Sequence, residues 1–400
     1  MVEPKEKPME PVIIPINNKN KSQLKRIIGT YDRGESGTTI ICFCSIHGNE
    51  PTGKIAFERV IETLRRLEPD FEGKIIGVWG NMTASTEHER FIDMDLNRVW
   101  TEERIKMLDE GYEDFPEDLV EDLEQKYLWK IIHQEIAKSL GPIIFLDLHT
   151  TSSESQPFIS INDTLKNRFF ARRYPLPIIL GLEEHLDGTI LSYINELGHI
   201  AIGVEGGQHD ALSSIENHEA IIWSTLSFAD CINSTQIPEA KHTYEVLAKN
   251  ALDGKRIFEV RYRHQVDTNS SFTMNSGYIN FQPVRKNEVL AKELDSQVQS
   301  PEKGRLFMPL YQKLGNDGFF IVREIRKFWL DVSAFLRKIH FHRFIQFLPG
   351  IGKYKELDHT IVVNRKIARW YVIDFFHLLG FRRKLKEGNK MIFIRRPHDL

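Results

Sequence analysis

Residues 38–46 read Thr-Thr-Ile-Ile-Cys-Phe-Cys-Ser-Ile and run directly into His47-Gly48-Asn49-Glu50-Pro51-Thr52-Gly53. A short, nearly continuous apolar run, rich in β-branched and aromatic side chains and closed by a Gly/Asn/Pro cluster, spells a strand covered on both faces. Three more runs of this kind follow, at Lys74–Trp79 (KIIGVW), Ile143–Leu148 (IIFLDL) and Ile200–Val204 (IAIGV). Helical stretches at Thr52–Leu67, Asp118–Leu140 and His218–Ser234 alternate with them. The alternation predicts an α/β domain over residues 1–250, with a mostly parallel or mixed sheet flanked by helices. In such sheets ligands bind beyond the carboxyl ends of the strands, so that is where chemistry is expected.

From residue 251 to 325 the pattern changes. Arg256–Tyr262 (RIFEVRY), Gly277–Phe281 and Gly318–Val322 are short β-rich segments separated by Gly, Asn and Pro, which predicts a smaller β-rich domain. Residues 326–400 form a basic extension of α+β character. Arg326–Phe347 has rough helical spacing and Pro349–Gly350 ends it.

The bulk numbers narrow the class. Over 400 residues, 41% hydrophobic and 27% charged content is that of a globular, multi-domain chain. No stretch approaches the roughly 18 apolar residues of a spanning helix. The start, MVEPKEKPMEPVIIP, lacks the apolar run of a signal peptide. Three cysteines are too few for a disulfide framework, and Cys42 and Cys44 sit two apart on one strand, where small buried thiols are common. A reducing, cytoplasmic setting is expected.

The net charge of −3 is unevenly spread, because residues 326–400 hold 17 Lys/Arg against 6 Asp/Glu while the remainder holds 36 against 50. The acidic remainder offers an intramolecular partner for the tail, and nucleic acid is not the expected one. Phe328, Trp329, Phe341 and Trp370 read as core or oligomer contacts, which leaves a homo-oligomer open, and His340 and His342 as packing residues. The stretch Thr101–Gln125, with eleven acids, reads as a solvated loop running into a helix face. Gly-x-Ser-x-Gly, Walker and Gly-x-Gly-x-x-Gly motifs are all missing, which removes serine-elbow hydrolases, P-loop enzymes and dinucleotide binders from the field.

What remains is a set of ligand-type residues at strand ends. His47 and Glu50, three apart behind the first strand, can turn toward one point, and Gly48 between them gives the backbone freedom to do so. By itself His-x-x-Glu is a common accident. The strand Ile143–Leu148 then delivers His149, and Ile200–Val204 delivers Glu205. Two imidazoles and a carboxylate are donors that suit zinc, and a catalytic zinc keeps three protein ligands plus an open position for water. Glu205 would then be free to act on that water. Asp147, two before His149 on the same strand face, is placed to orient that imidazole or to serve an ordinary capping role. Between the ligand motifs lies Arg90-Phe-Ile-Asp93-Met-Asp95-Leu-Asn97-Arg98-Val-Trp100. Its arginines can grip a substrate carboxylate in a planar fork, or pair with Asp93 and Asp95. Of the surplus histidines His185, His199 and His209, the last follows Glu205 closely enough to line the site.

Taken in order, HGNEPTG, RFIDMDLNRVW, DLHTT and the Glu after an apolar strand resemble the succinylglutamate desuccinylase/aspartoacylase family, relatives of the zinc carboxypeptidases. The match spans roughly Gly29 to Gln208. The resemblance implies a zinc-carboxypeptidase-like fold with one Zn²⁺ per chain on His47, Glu50 and His149. It also implies Glu205 as general base and proton shuttle, and Arg90, Asn97 and Arg98 as substrate-binding residues, with Arg90 near the developing oxyanion. The basic tail and the Gly-Gly-Gln-His-Asp after Glu205 have no counterpart in that pattern, so the substrate is not specified.

The expected activity is a zinc-dependent deacylase cleaving the amide of a small, carboxylate-bearing N-acyl amino acid by metal-activated water. A carboxypeptidase or an esterase on the same scaffold, and a non-catalytic zinc- or ligand-binding module, are the alternatives. The intact triad together with Glu205 speaks against the last, since a binding module needs no base.

Overall fold

The computed structural model describes residues 25–33, 36–266, 271–353, 360–364, 372–387, 390–395 and 398–399. The charged start of the chain (residues 1–15) and Trp370 lie outside the described residues. The strand that opens the argument is β2, Thr39–Cys44, preceded by β1, Ile27–Asp32. The chain continues through β3 (Lys74–Trp79), β4 (Ile143–Thr151), β5 (Phe158–Ser160), β6 (Ile178–Leu180), β7 (Ile200–Gln208) and β8 (Ile257–Gln265). There follow β9 (Phe272–Met274), β10 (Pro283–Val284), β11 (Val289–Glu293), β12 (Ser296–Gln299), β13 (Gly304–Phe307) and β14 (Asp317–Glu324). Four strands close the chain: β15 (Ile351–Lys353), β16 (Thr360–Asn364), β17 (Phe381–Glu387) and β18 (Lys390–Arg395).

These strands build one 11-stranded sheet in the order β1-β3-β2-β4-β7-β5-β6-β8-β14-β13-β10, a three-stranded sheet β12-β11-β9 and a four-stranded sheet β15-β16-β18-β17. The core β3-β2-β4-β7 is parallel throughout, whereas β5 runs antiparallel to β7 and β8, β14, β13 and β10 pair antiparallel. The architecture is therefore a mixed sheet flanked by helices, with smaller antiparallel sheets after it.

Alternation inside β2 shows why the run has no polar phase. Ile40, Cys42 and Cys44 join the cluster that also takes in Phe57, Val60, Ile61 and Leu64 of helix Thr52–Leu67 and Ile221, Ile222 and Trp223 of helix Leu212–Phe228. Ile41 and Phe43 point the other way, toward Leu128 and Ile132 of helix Val120–Lys138 and Tyr193 of helix Ile190–Glu196. In helix Thr52–Leu67 the buried positions 53, 56, 57, 60, 61 and 64 make one stripe, each large side chain there contributing about 1.5–3 kcal/mol. Cys42, Cys44 and Cys231 are buried and free. Among the described residues no helix is long and apolar enough to cross a membrane.

Several expectations are corrected. Gly277–Phe281 is a turn rather than a strand, because Gly277 (φ 87°) and Phe281 (φ 65°) both adopt left-handed backbone. The third helix spans Leu212–Phe228 instead of residues 218–234. The acidic stretch is not a plain solvated face: it holds helix Glu102–Gly111 and the start of Val120–Lys138, and Glu121, Asp122 and Glu124 are buried. In the extension, Phe328 and Trp329 are 65% and 50% exposed, so neither is core within one chain.

Candidate active site

β2 ends at Cys44, and Ser45 adopts left-handed backbone (φ 55°), bending the chain so that its hydroxyl donates to the Glu50 carbonyl at 3.0 Å. The loop is pressed against the short helix Met82–Glu87 after β3. A Cβ on Gly48 would stand 2.2 Å from the Ala84 carbonyl carbon, and the Gly48 N–H donates to the Arg90 carbonyl at 3.1 Å. Gly48 has no positive φ, so the glycine is required by close approach and not, as the spacing argument supposed, by backbone freedom. β4 and β7 pair in parallel with His149 opposite Glu205, which places the second imidazole and the candidate base side by side beyond the sheet core.

The three ligand-type residues meet. His47 Nδ1 lies 2.9 Å from Glu50 Oε1 and His149 Nδ1 lies 3.0 Å from Glu50 Oε2, while the Thr150 N–H donates to Oε2 at 3.0 Å. One donor atom from each of His47, Glu50 and His149 falls within 4.8 Å of the others, and all three residues are buried, so the cluster can hold a metal ion. The far nitrogens are held too. His47 Nε2 is 3.2 Å from Asp95 Oδ1, and His149 Nε2 is 2.7 Å from Asp147 Oδ2. With an ion bound, the carboxylate behind each imidazole would keep the proton on Nε2 and leave the Nδ1 lone pair for the metal.

Electrostatics agree with the geometry. Burial works to raise the Glu50 carboxyl, but the two imidazoles outweigh it and hold it well below the usual carboxylate range. Burial likewise opposes ionised Asp95, and Arg90 and His47 overcome it. For His149, burial favours the neutral ring, yet Asp147 and Glu50 pull its pKa well above the ordinary value. Glu205 is different: burial pushes its carboxyl up to about 8, and its Oε2 has no hydrogen-bond partner among the described residues.

Arg90 donates to Asp95 Oδ2 through Nε at 3.2 Å and a terminal nitrogen at 3.0 Å, with Glu50 Oε1 at 3.6 Å. Arg98 donates to Asp317 at 2.8 Å. Asn97 donates its amide nitrogen to Asp147 Oδ2 at 3.4 Å, beside His149 Nε2, and its oxygen accepts from the Ile190 N–H at 2.9 Å. All three line the same pocket as His47, Glu50, His149 and Glu205. His209 instead contacts the Thr150 hydroxyl at 2.8 Å and Gln312 at 3.2 Å, away from the pocket lining.

Three further residues hold this site; of these the sequence offered only Asp95, and only as a partner for the arginines, which it is for Arg90. Asp95 backs His47. Glu121 accepts from the N–H groups of Ile92, Asp93 and Met94 at 2.8–3.2 Å, clamping the loop that carries Arg90 to Arg98. His218, driven down to about 4 by burial, sits 3.0 Å from the His149 carbonyl and 3.2 Å from the Thr52 hydroxyl.

Residues 36–226 match the family model described as the succinylglutamate desuccinylase/aspartoacylase catalytic domain. These residues belong to the succinylglutamate desuccinylase/aspartoacylase family. The desuccinylase/aspartoacylase family is one of hydrolytic deacylases. Solved structures agree at the level of fold. A succinylglutamate desuccinylase/aspartoacylase from Rhodobacter sphaeroides is 17% identical, with a TM-score of 0.53, over 73% of this chain and 87% of its own. A succinylglutamate desuccinylase from Chromobacterium violaceum is 15% identical (TM-score 0.51, 73% and 86% covered). An ectoine utilization protein from Ruegeria pomeroyi, solved with product bound, is 15% identical (TM-score 0.51, 74% and 87% covered). No curated protein matches the chain.

Proposed function

We propose that this desuccinylase/aspartoacylase domain is a zinc-dependent hydrolase that cleaves the amide of a small N-acyl amino acid. The observation that carries the reading is the convergence of His47 Nδ1, His149 Nδ1 and the Glu50 carboxylate, with a buried, partner-free Glu205 oxygen beside them. Two nitrogens and one carboxylate fit zinc, a borderline ion that takes three protein ligands in hydrolytic sites. Bound there, zinc would supply Lewis-acid polarisation of the scissile carbonyl and bring the pKa of water toward about 7.

The chain's own groups supply the rest. Glu205 takes the proton of the attacking water and delivers it to the leaving nitrogen, a transfer that contributes roughly 10²–10⁴-fold. Its buried surroundings suit that exchange, because they keep its proton affinity well above that of an exposed carboxylate. Arg90 is fixed by Asp95 at the rim of the ligand cluster, where its guanidinium can donate to the developing oxyanion. Asn97 and Arg98 hold the substrate carboxylate.

Two measurements test this. Metal analysis of the purified chain is expected to give about one zinc, within the stoichiometry of a three-ligand site. Glu205→Gln is expected to keep that zinc while hydrolysis of an N-acyl amino acid panel falls by roughly 10²–10⁴. Near-normal turnover by the variant would remove Glu205 from its role, and zinc well below stoichiometry would remove the metal.

A further inference from the structure

Beyond the ligand triad the pocket is walled mainly by the apolar Phe158, Ile161, Leu182, Leu186, Leu191 and Met308, with the neutral Thr150, Ser160, Asn162 and Thr189 among them. Phe158 and Ile161 are fully buried behind it. Apart from the histidine ligands, the cations among the lining residues are Arg90, held by Asp95 and assigned above to the oxyanion, and Arg98, held by Asp317 and assigned to the substrate's own carboxylate, so neither is left over for a second one. Asp317 is in turn gripped by Arg263 at 2.6 Å, which is not a lining residue. The one carboxylate on this wall outside the catalytic cluster is Glu183. It accepts from the Asp163 N–H and from Arg382 Nε, both at 3.0 Å, so its charge belongs to the wall.

We propose that the acyl arm of the substrate is uncharged and apolar, an aliphatic chain of medium length, and not a dicarboxylic group such as succinyl. This rests on the reading above, in which Asn97 and Arg98 hold the substrate's own carboxylate. Once that carboxylate is bound, a second one on the acyl arm meets no further cation in the lining, only apolar groups, the neutral Ser160, Asn162 and Thr189, and a Glu183 already paired with Arg382. A buried carboxylate without a cationic partner is strongly disfavoured. An alkyl arm meets the opposite situation, because each methylene laid against this wall leaves water. Residues Leu182 and Leu186, which flank Glu183 in sequence, would therefore set the specificity.

The experiment is isothermal titration of the zinc-loaded full chain with butanoate, hexanoate and succinate, the acids that such amides would release. Hexanoate is expected to bind roughly fifteenfold tighter than butanoate, from about fourfold for each of two buried methylenes, and succinate weaker than butanoate. In Leu186→Arg, which brings a cation to the wall, succinate is expected to overtake butanoate. Succinate binding the unaltered chain at least as tightly as butanoate overturns the proposal, and so does hexanoate no tighter than butanoate. If zinc is taken up but none of the three acids binds, the apolar-arm assignment falls while the metal centre stands. If no zinc is taken up, the hydrolase reading falls and takes this one with it.

Discussion

His47 and His149 are each held from two sides, by Glu50 at Nδ1 and by a further carboxylate, Asp95 or Asp147, at Nε2. Asp95 lies 3.2 Å from His47 Nε2 and is also the anchor of Arg90; it therefore fixes a ligand's tautomer and the rim cation together. Asp95→Asn is expected to weaken zinc binding about 10–100-fold, the usual cost of losing such a partner. Competition against a chelating dye would measure it, and an unchanged affinity would mean that His47 keeps its orientation by packing alone. The convergence of His47, Glu50, His149 and Glu205 was legible in the sequence, since each comes after an apolar run that marks a strand. Asp95 was not, because Asp93 stands two residues away in the same motif with the same chemistry. Only the fold separates them: Asp93 accepts from the Val120 N–H at 2.8 Å and Asp95 turns to His47. Glu121 was hidden for a similar reason, lying among eleven acids that composition alone assigns to water.

At the level of elements, the predicted Lys74–Trp79 and Thr52–Leu67 match the structure residue for residue. β4 and β7, however, run three or four residues past their apolar stretches, to Thr151 and Gln208. The extra residues are polar, so hydrophobic patterning could not extend the strands; the ladder does so by pairing His149 with Glu205. The same limit applies to the loop after β2, whose shape depends on a contact with the helix Met82–Glu87 after β3. Gly48 carries that contact, and backbone atoms of Ala84 stand where a side chain would begin. Gly48→Ala is therefore expected to cost about 3 kcal/mol, the upper end of overpacking penalties, since no rotamer can relieve it. Urea unfolding followed by far-ultraviolet dichroism would show the loss, and a stability within experimental error of the unaltered chain would mean that the loop can move aside.

On the scale of the whole molecule, the charge imbalance between residues 326–400 and the remainder was readable, but its pairing was not, since the partners lie far apart in sequence. Arg337, fully buried in helix Lys327–Lys338, reaches Asp163 and Asp399, both at 2.9 Å. Residues of β16 to β18 and the helix Val372–Leu378 share a hydrophobic cluster of their own, which supports the proposal of a separate folding unit beginning near residue 326. His377 joins that unit to the rest, with Nδ1 2.9 Å from Glu259 Oε1 and Nε2 3.1 Å from Glu184 Oε2. Arg382 lies near Glu184, and Arg261 and Arg323 near Glu259. Burial alone would lower the His377 pKa, but the two carboxylates outweigh it and raise it to about 10. The unfolded chain binds this proton with a pKa near 6.5. Because the folded value is the higher one, the stabilisation is complete below about pH 6.5 and drains away as pH rises toward about 10, at up to about 1.4 kcal/mol per pH unit. Raising the pH from 7 to 9.5 is thus expected to lower the melting temperature of the unaltered chain, and His377→Gln is expected to start lower at pH 7 and to lose markedly less over the same interval. Parallel losses in the two proteins would show that His377 does not hold a proton between Glu184 and Glu259.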